Sequence, residues 1–586
     1  MCLYNLCKIN IVFLKKQYFL QKKLYLRNIN FELMRNILFR YFLALFFILF
    51  VSLNSLAENP KNEIRAIWLT TNYGLDWPNK PATDLKGAEK QKADLCKILD
   101  MVVELNMNTV FFQARLRSDV LYNSEIEPYN AVMTGTRGKK PLYDPLAFAI
   151  EECHKRGLQC HAWVVCMNVG SDKAIKMQGN KALPKVRPEI CTKYNGEWYL
   201  NPGEPETAFY LIDIVSEIVK KYSVDGIHLD YIRYPDRAHD FPDSKTYKKY
   251  ALKGESLKEW RIKNINNIVY SIYDVVKKIN PKVMVSSAVL GKRDNHRYYS
   301  SMGWSGMEAT YQDVAAWLKA GKQDFVAPMM YYPDKSFYPF VKDWVRNSNG
   351  YPIVAGLGVY RLAKSDGNWS LRDFMPQIYI SREMGIAGSS FYRTKQLEEN
   401  LKDVATVLKA ETYNTPALFP PLKNYKKGCE VTPYNLEIAY AKDGSKTISW
   451  DCDGEAKYYT IYASKTYPVD TRLAENIIEV RYLKNSFKHN EKNLYYAVTA
   501  TNDYYYESDA VQQSQPPLYF FEGEKIVIPT DRVNLCKSVS IISPTSDCVY
   551  YREGQDVGNI PSLKKGIYSL KITYSDFIAI YPLIIN

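Results

Sequence analysis

The chain has 586 residues, of which 46% are hydrophobic and 14% aromatic, and a formal net charge of +14. That composition excludes a disordered, collagen-like or low-complexity protein, and at roughly 100–200 residues per domain the length calls for two to four domains, one with a sizeable core. Residues 1–57 carry eight Lys/Arg and one Glu, half of the net charge. The remainder is mildly basic without a dense Lys/Arg run, so nucleic acid is not an expected partner.

Met34-Arg35 and Arg40 precede an apolar run, Tyr41–Val51, and Ser55-Leu56-Ala57 then supplies the small residues of a cleavage site. This is the pattern of a secretory signal peptide over 34–57, with translation expected to begin at Met34. The apolar run of 11 residues falls short of the roughly 20 that span a bilayer. The expected mature protein is therefore periplasmic or secreted, with no stable membrane span after cleavage. Cys2 and Cys7 lie in the removed signal region, and the nine remaining cysteines form no CxxC pair and no Cys/His spacing suited to zinc. Neither a metal nor another cofactor is expected.

From Glu63 to about Ala410, short β-branched or aromatic runs alternate with amphipathic stretches, as in a parallel sheet with crossover helices. The predicted strands are Ile64–Thr70, Thr109–Ala114, Gln159–Val165, Gly226–Tyr231, Val283–Val289, Phe325–Tyr331, Ile353–Leu357 and Ala387–Tyr392. The predicted helices are Gln91–Leu105, Pro145–Arg156, Ala208–Tyr222, Leu257–Ile279, Tyr311–Ala320, Leu371–Glu383 and a last one near Leu397–Ala410. Eight such units indicate an α/β fold, a (β/α)8 TIM barrel over 58–413. The proline-bearing stretch Asn414–Tyr425 reads as a linker. Helical periodicity then gives way to short strands such as Thr447–Trp450, Tyr458–Ala463 and Tyr495–Thr501, a β-sandwich over 414–515. A small β-rich domain is expected over 516–586, with strands near Lys525–Ile528, Ser538–Ile542 and Ile567–Thr573.

In such a barrel the chemistry stands at the C-terminal ends of the strands. In the fourth strand a two-residue period puts Ile227 and Leu229 toward the helices, and His228 and Asp230 toward the barrel axis near its mouth, followed by Arg233. The same period places Gln113 and Arg115 together on the second strand, with Asp119 and Tyr122 in the loop beyond. Arg65 and Trp68 on the first strand, His161 and Trp163 on the third, Tyr331 and Tyr332 on the sixth and Tyr392 on the eighth complete the candidate substrate-binding set. Clustered rings suit stacking on the apolar face of a sugar. Cleavage of a glycosidic bond ordinarily needs two carboxyl groups. Asp230 is one candidate, and Asp119 is the preferred second, with Asp76, Asp294, Glu308 and Asp334 left open.

Around these residues the sequence resembles the glycosyl hydrolase-like 10 family of exported bacterial proteins. The runs Arg65–Trp68, Asp76–Pro78, Phe112–Ser124, Asp225–Pro235, Asp324–Tyr332 and Gly385–Tyr392 carry the resemblance. It implies a glycosidase-like (β/α)8 domain, a polysaccharide or peptidoglycan glycan as substrate, and roles for Asp230 and Asp119 as carboxylates and for Arg65, Gln113, Arg115, His228 and Arg233 as polar partners. Related sequences often follow the third-strand His-Ala-Trp with Asn-Pro, whereas here His161-Ala162-Trp163 leads into Val164-Val165-Cys166-Met167-Asn168. The sandwich resembles a fibronectin type III domain in its Trp450 strand and its Tyr495–Ser508 run. Two readings follow: an exported glycoside hydrolase, or a glycan-binding protein that keeps the barrel groove without turnover.

Overall fold

The computed structural model describes residues 59–586 except 237, 296–302, 334–335, 426–427, 441–444, 492–493, 514–517, 521–535, 555–557, 576–577 and 586. The expected signal peptide, the strand near Lys525–Ile528 and the candidate acid Asp334 lie outside the described residues. Eight parallel strands close into a barrel: β1 (Ile64–Leu69), β2 (Thr109–Leu116), β3 (Gln159–Val165), β4 (Gly226–Asp230), β5 (Met284–Leu290), β6 (Phe325–Met329), β7 (Val354–Leu357) and β8 (Gly388–Phe391). Each pairs with its sequence neighbours, and β1 pairs with both β2 and β8, which closes the ring. This is the predicted TIM barrel, with all eight strands within about two residues of their sequence positions.

Side chains alternate as the two-residue period demands. Ile67, Val110, Phe112, Ala162, Val164, Ile227, Leu229 and Val285 join the layer under the helices, which leaves Trp68, Phe111, His161, His228 and Phe325 to fill the barrel axis. Phe111 lies flat on His228, ring centroids 3.9 Å apart at 3°. Gly226 is required in β4, since a Cβ there would stand 2.4 Å from His161 Nδ1.

Crossover helices include α1 (Leu85–Glu104), α2 (Pro145–Lys155), α3 (Pro205–Lys221), α4 (Leu257–Ile279), α5 (Val314–Lys319), α6 (Tyr338–Arg346) and α7 (Leu371–Glu383). Ends set by capping boxes, Ser256 with Glu259 at α4 and Ser370 with Asp373 at α7, fall where the sequence puts them. Three departures have local causes. Helix α1 starts at its Asp84 cap rather than at Gln91, because its first turn carries an exposed Leu85 and little apolar signal. Helix α5 starts after Tyr311, whose φ of +60° ends the short helix before it. The expected helix Leu397–Ala410 is broken by positive φ at Asn400, Lys402 and Asp403. Helix α6 escapes the sequence reading because its aromatic residues and Pro339 obscure a buried Phe340, Val341, Trp344 face.

The chain divides into two compact units near Lys426. The stretch read as a linker belongs to the first: Ala417, Leu418 and Phe419 are buried, and Leu418 pairs with Asn62 beside β1. In the second unit, strands 433–440, 446–452 and 486–489 form one antiparallel sheet, and 477–482, 458–464, 495–501 and 511–512 form another. Trp450, Ile461, Tyr496 and Val498 share their core. A five-stranded sheet from residues 518–585 has a separate core around Val539, Ile541, Leu570 and Leu583. Among the described residues no helix is long and apolar enough to cross a membrane.

Candidate active site

A cavity of about 220 Å³ opens at the C-terminal ends of the barrel strands, lined among others by Trp68, Gln113, Trp163, Asp230, Tyr331 and Tyr392. Six of the sequence-predicted residues therefore meet at one place. Asp230 ends β4, is 4% exposed, and is held by two N–H donors: Trp163 Nε1 to Oδ2 at 3.1 Å and the Tyr231 backbone to Oδ1 at 2.7 Å. Burial pushes its pKa above the usual aspartate range, against the pull of Arg233 and of these two donors. Among the described lining residues it alone carries a carboxyl. Tyr331 and Tyr392 stack at 5.8 Å, with Tyr360 edge-on to both.

The remaining candidates stand elsewhere. His228 lies in the layer beneath the cavity: Trp68 Nε1 donates to its Nε2 at 3.0 Å, and its Nδ1 is 2.8 Å from Ser286 Oγ. Complete burial holds its pKa well below the ordinary value, so the ring is neutral and orients Trp68. His161 sits lower still, its Nε2 2.9 Å from Gln159 Oε1. Arg65 points away from the axis at the opposite end of β1, bound to Glu63 at 2.7 Å and to the Thr415 carbonyl at 2.6 Å, below the Tyr413 ring. Tyr122 is buried edge-on to Tyr222, outside the cavity. Tyr332 is half-buried and does not line the cavity, and Arg233 stacks on the Tyr231 ring at 4.2 Å, 3.8 Å from Asp230.

Arg115 departs from the two-residue period for a definite reason. A bulge between Gln113 and Arg115 sets Arg115 opposite Val164, a helix-facing position, so Gln113 and Arg115 face opposite sides and Leu116 turns to the cavity in its place. There Arg115 forms a two-pronged pair with Glu127, not with Asp119. Beyond the bulge, Leu116 pairs with Asp119 across a two-residue turn whose central residues, Arg117 and Ser118, both have φ of +55°. This conformation suits a hairpin's twist but strains residues that carry a Cβ, and such strain gathers at functional sites. Arg117 lines the cavity. The sequence reading passed over it, along with Thr70, Asn72 and Asn168; the signal was available for Arg117, which sits inside the Phe112–Ser124 run.

Asp119 does not line the cavity. It accepts from Asn130 Nδ2 at 2.6 Å and lies 3.5 Å from Arg137, and burial raises its pKa to about 7. Asp76 turns back to accept from the Thr70 and Lys395 backbones, with burial lifting its pKa to about 6. Glu308 pairs with Lys258 at the surface. Folded Asp119 keeps a proton that the unfolded chain, near 3.8, releases, so its share of stability is lost as pH rises from about 4 to 7. Asp119→Asn is expected to shallow this decline without abolishing it, because Asp76 has the same sign; chemical denaturation at pH 4, 5.5 and 7.5 measures it, and an unchanged slope would refute the assignment. No group of three or more His, Cys, Asp or Glu among the described residues is placed to hold a metal.

Residues 63–348 match the model of the family Glycosyl hydrolase-like 10. The barrel belongs to that family. The chain is 28% identical over 478 residues to Glycosyl hydrolase YngK of Bacillus subtilis, covering 77% of this chain and 93% of that protein. It is 27% identical over 375 residues to Glycosyl hydrolase DigH of Escherichia coli K12, covering 58% and 85%. Among solved structures, the PgaB glycoside hydrolase domain from Bordetella bronchiseptica aligns with a TM-score of 0.43 at 14% identity, over 60% of this chain and 99% of that one.

Proposed function

We propose that this glycoside hydrolase is exported and cuts glycosidic bonds in the glycan strands of peptidoglycan. The observation that carries the reading is Asp230: a buried carboxylate with both oxygens fixed, at the bottom of a cavity walled by Trp68, Trp163, Tyr331 and Tyr392. Aromatic walls stack on sugar rings, and a fixed carboxylate suits the nucleophile or water-activating role of a two-carboxylate mechanism. Asp119, protonated up to about pH 7 and one hairpin rung from the cavity-lining Leu116, is our choice for the proton donor. The basic and apolar stretch Met34–Ala57 supports export to the periplasm or beyond, and we read the sandwich as a fibronectin type III-like accessory module.

Purified wall glycan, with and without stem peptides, is the test substrate for Glu58–Asn586. Release of soluble oligosaccharides, greater from peptide-free strands, is the expected result. Binding of the same glycan with no fragments released would replace the reading by a carbohydrate-binding protein.

A further inference from the structure

The Gln113 side chain, 2% exposed, has its amide orientation fixed by its partners. Its Oε1 lies 2.9 Å from the Thr71 backbone N, 3.1 Å from the Asn72 backbone N and 2.9 Å from Thr70 Oγ1, with Thr71 Oγ1 at 3.2 Å. The two backbone groups can only donate, so the atom they meet must be the carbonyl oxygen. Turning the amide over would set its N–H2 against two N–H groups and leave buried donors unpaired. The Nε2 group has no hydrogen-bond partner among the described residues, and Gln113 lines the cavity beside Trp68, Thr70 and Asn72. The barrel thus presents a donor that cannot become an acceptor. Its β3 neighbour in the register, Trp163, is the residue that donates to Asp230.

We propose that Gln113 selects a 2-acetamido sugar, its Nε2 donating to the acetamide carbonyl oxygen. The inference rests on the glycan-hydrolase reading and names the group by which this cavity recognises its sugar. A hydroxyl oxygen can also accept from this N–H2, but it is a weaker acceptor than an amide carbonyl and gives a fixed donor less preference. An amide carbonyl is the strongest acceptor on an uncharged glycan, and its methyl group needs an apolar wall, which Ala288, Met329, Tyr331 and Tyr392 provide on the same cavity. A de-N-acetylated sugar offers an ammonium there instead, and meets the Gln113 N–H2 donor to donor.

The test is titration calorimetry at pH 6 with tetramers of N-acetylglucosamine and of glucosamine, on the full chain carrying Asp230→Asn so that neither probe is turned over. The acetylated tetramer is expected to bind at least tenfold more tightly. Adding Gln113→Glu keeps an oxygen for the Thr71 and Asn72 N–H groups but replaces the donor by a carboxylate oxygen. That preference should then fall at least tenfold or reverse toward the amine, with an unchanged melting temperature as the control for folding. Equal binding of the two tetramers, a preference that survives Gln113→Glu, or no binding of either would overturn the proposal. Fragment release by the unsubstituted enzyme without discrimination would defeat this inference and leave the hydrolase reading standing; discrimination without fragment release would do the opposite.

Discussion

Replacing Asp230 by Asn is expected to lower kcat on wall glycan by on the order of 10³-fold while leaving the folded state and KM nearly unchanged. The amide can keep its oxygen toward the Tyr231 N–H, but its N–H2 then meets Trp163 Nε1 donor to donor, so a small loss of stability accompanies the loss of the negative charge that would attack or activate water. The pH profile carries the same information. Both Asp230 oxygens accept N–H bonds and Arg233 lies 3.8 Å away, so the working form is the carboxylate; burial lifts its pKa above the ordinary 3.8. Activity should accordingly fall on acidification, with the limb displaced above the range of an exposed aspartate. A variant retaining more than a tenth of kcat would remove Asp230 from the chemistry. A companion Asp119→Asn enzyme with full kcat would show that Asp119 serves only the hairpin it braces against Asn130 and Arg137.

Most of this fold is legible in the sequence because β-branched strand cores, amphipathic helices and capping residues act locally. The strand Asp225–Tyr231 even yields the axial placement of His228 and Asp230, since nothing interrupts its alternation. Legibility fails where a single residue changes phase or a partner arrives from far along the chain. The bulge after Gln113 moves Arg115 to the outside, and no composition or period announces it. The first strand's pattern counts Arg65 among the substrate-binding candidates, yet its partners Glu63 and Thr415 hold it at the other end of the barrel, and Thr415 lies 350 residues away. His228 illustrates a third limit: alternation places it on the axis, but only the stacked Phe111 and the Trp68 and Ser286 contacts make it a neutral support rather than a wall of the cavity.

Glu127→Ala is expected to be the most destabilising single substitution near the site, by about 3–5 kcal/mol, because it strands a fully buried guanidinium. Glu127 Oε1 accepts from Arg115 Nη2 and from the Tyr210 hydroxyl, each at 2.6 Å, and Oε2 accepts from Arg115 Nε at 2.7 Å. Tyr210 belongs to α3, while Arg115 Nη1 donates onward to the carbonyls of Val165 and Cys166 at the end of β3. One carboxylate therefore ties β2, β3 and α3 together just outside the cavity, and Val165 is the register partner of Asp230 in β4. Losing it should lower the urea midpoint of the barrel transition with little change in its slope. The double variant Arg115→Met with Glu127→Leu should recover most of the loss, since removing both charges costs far less than leaving one unpaired. If Glu127→Ala alone costs under about 1 kcal/mol, water must enter to hydrate Arg115, and the interior beside β3 is wetter than its packing indicates. Activity separates the two roles of the pair: in the double variant, stability restored with kcat still reduced would mean that the Arg115 bonds to the Val165 and Cys166 carbonyls set the position of the β3 and β4 strand ends, and with them the aim of the Asp230 carboxylate.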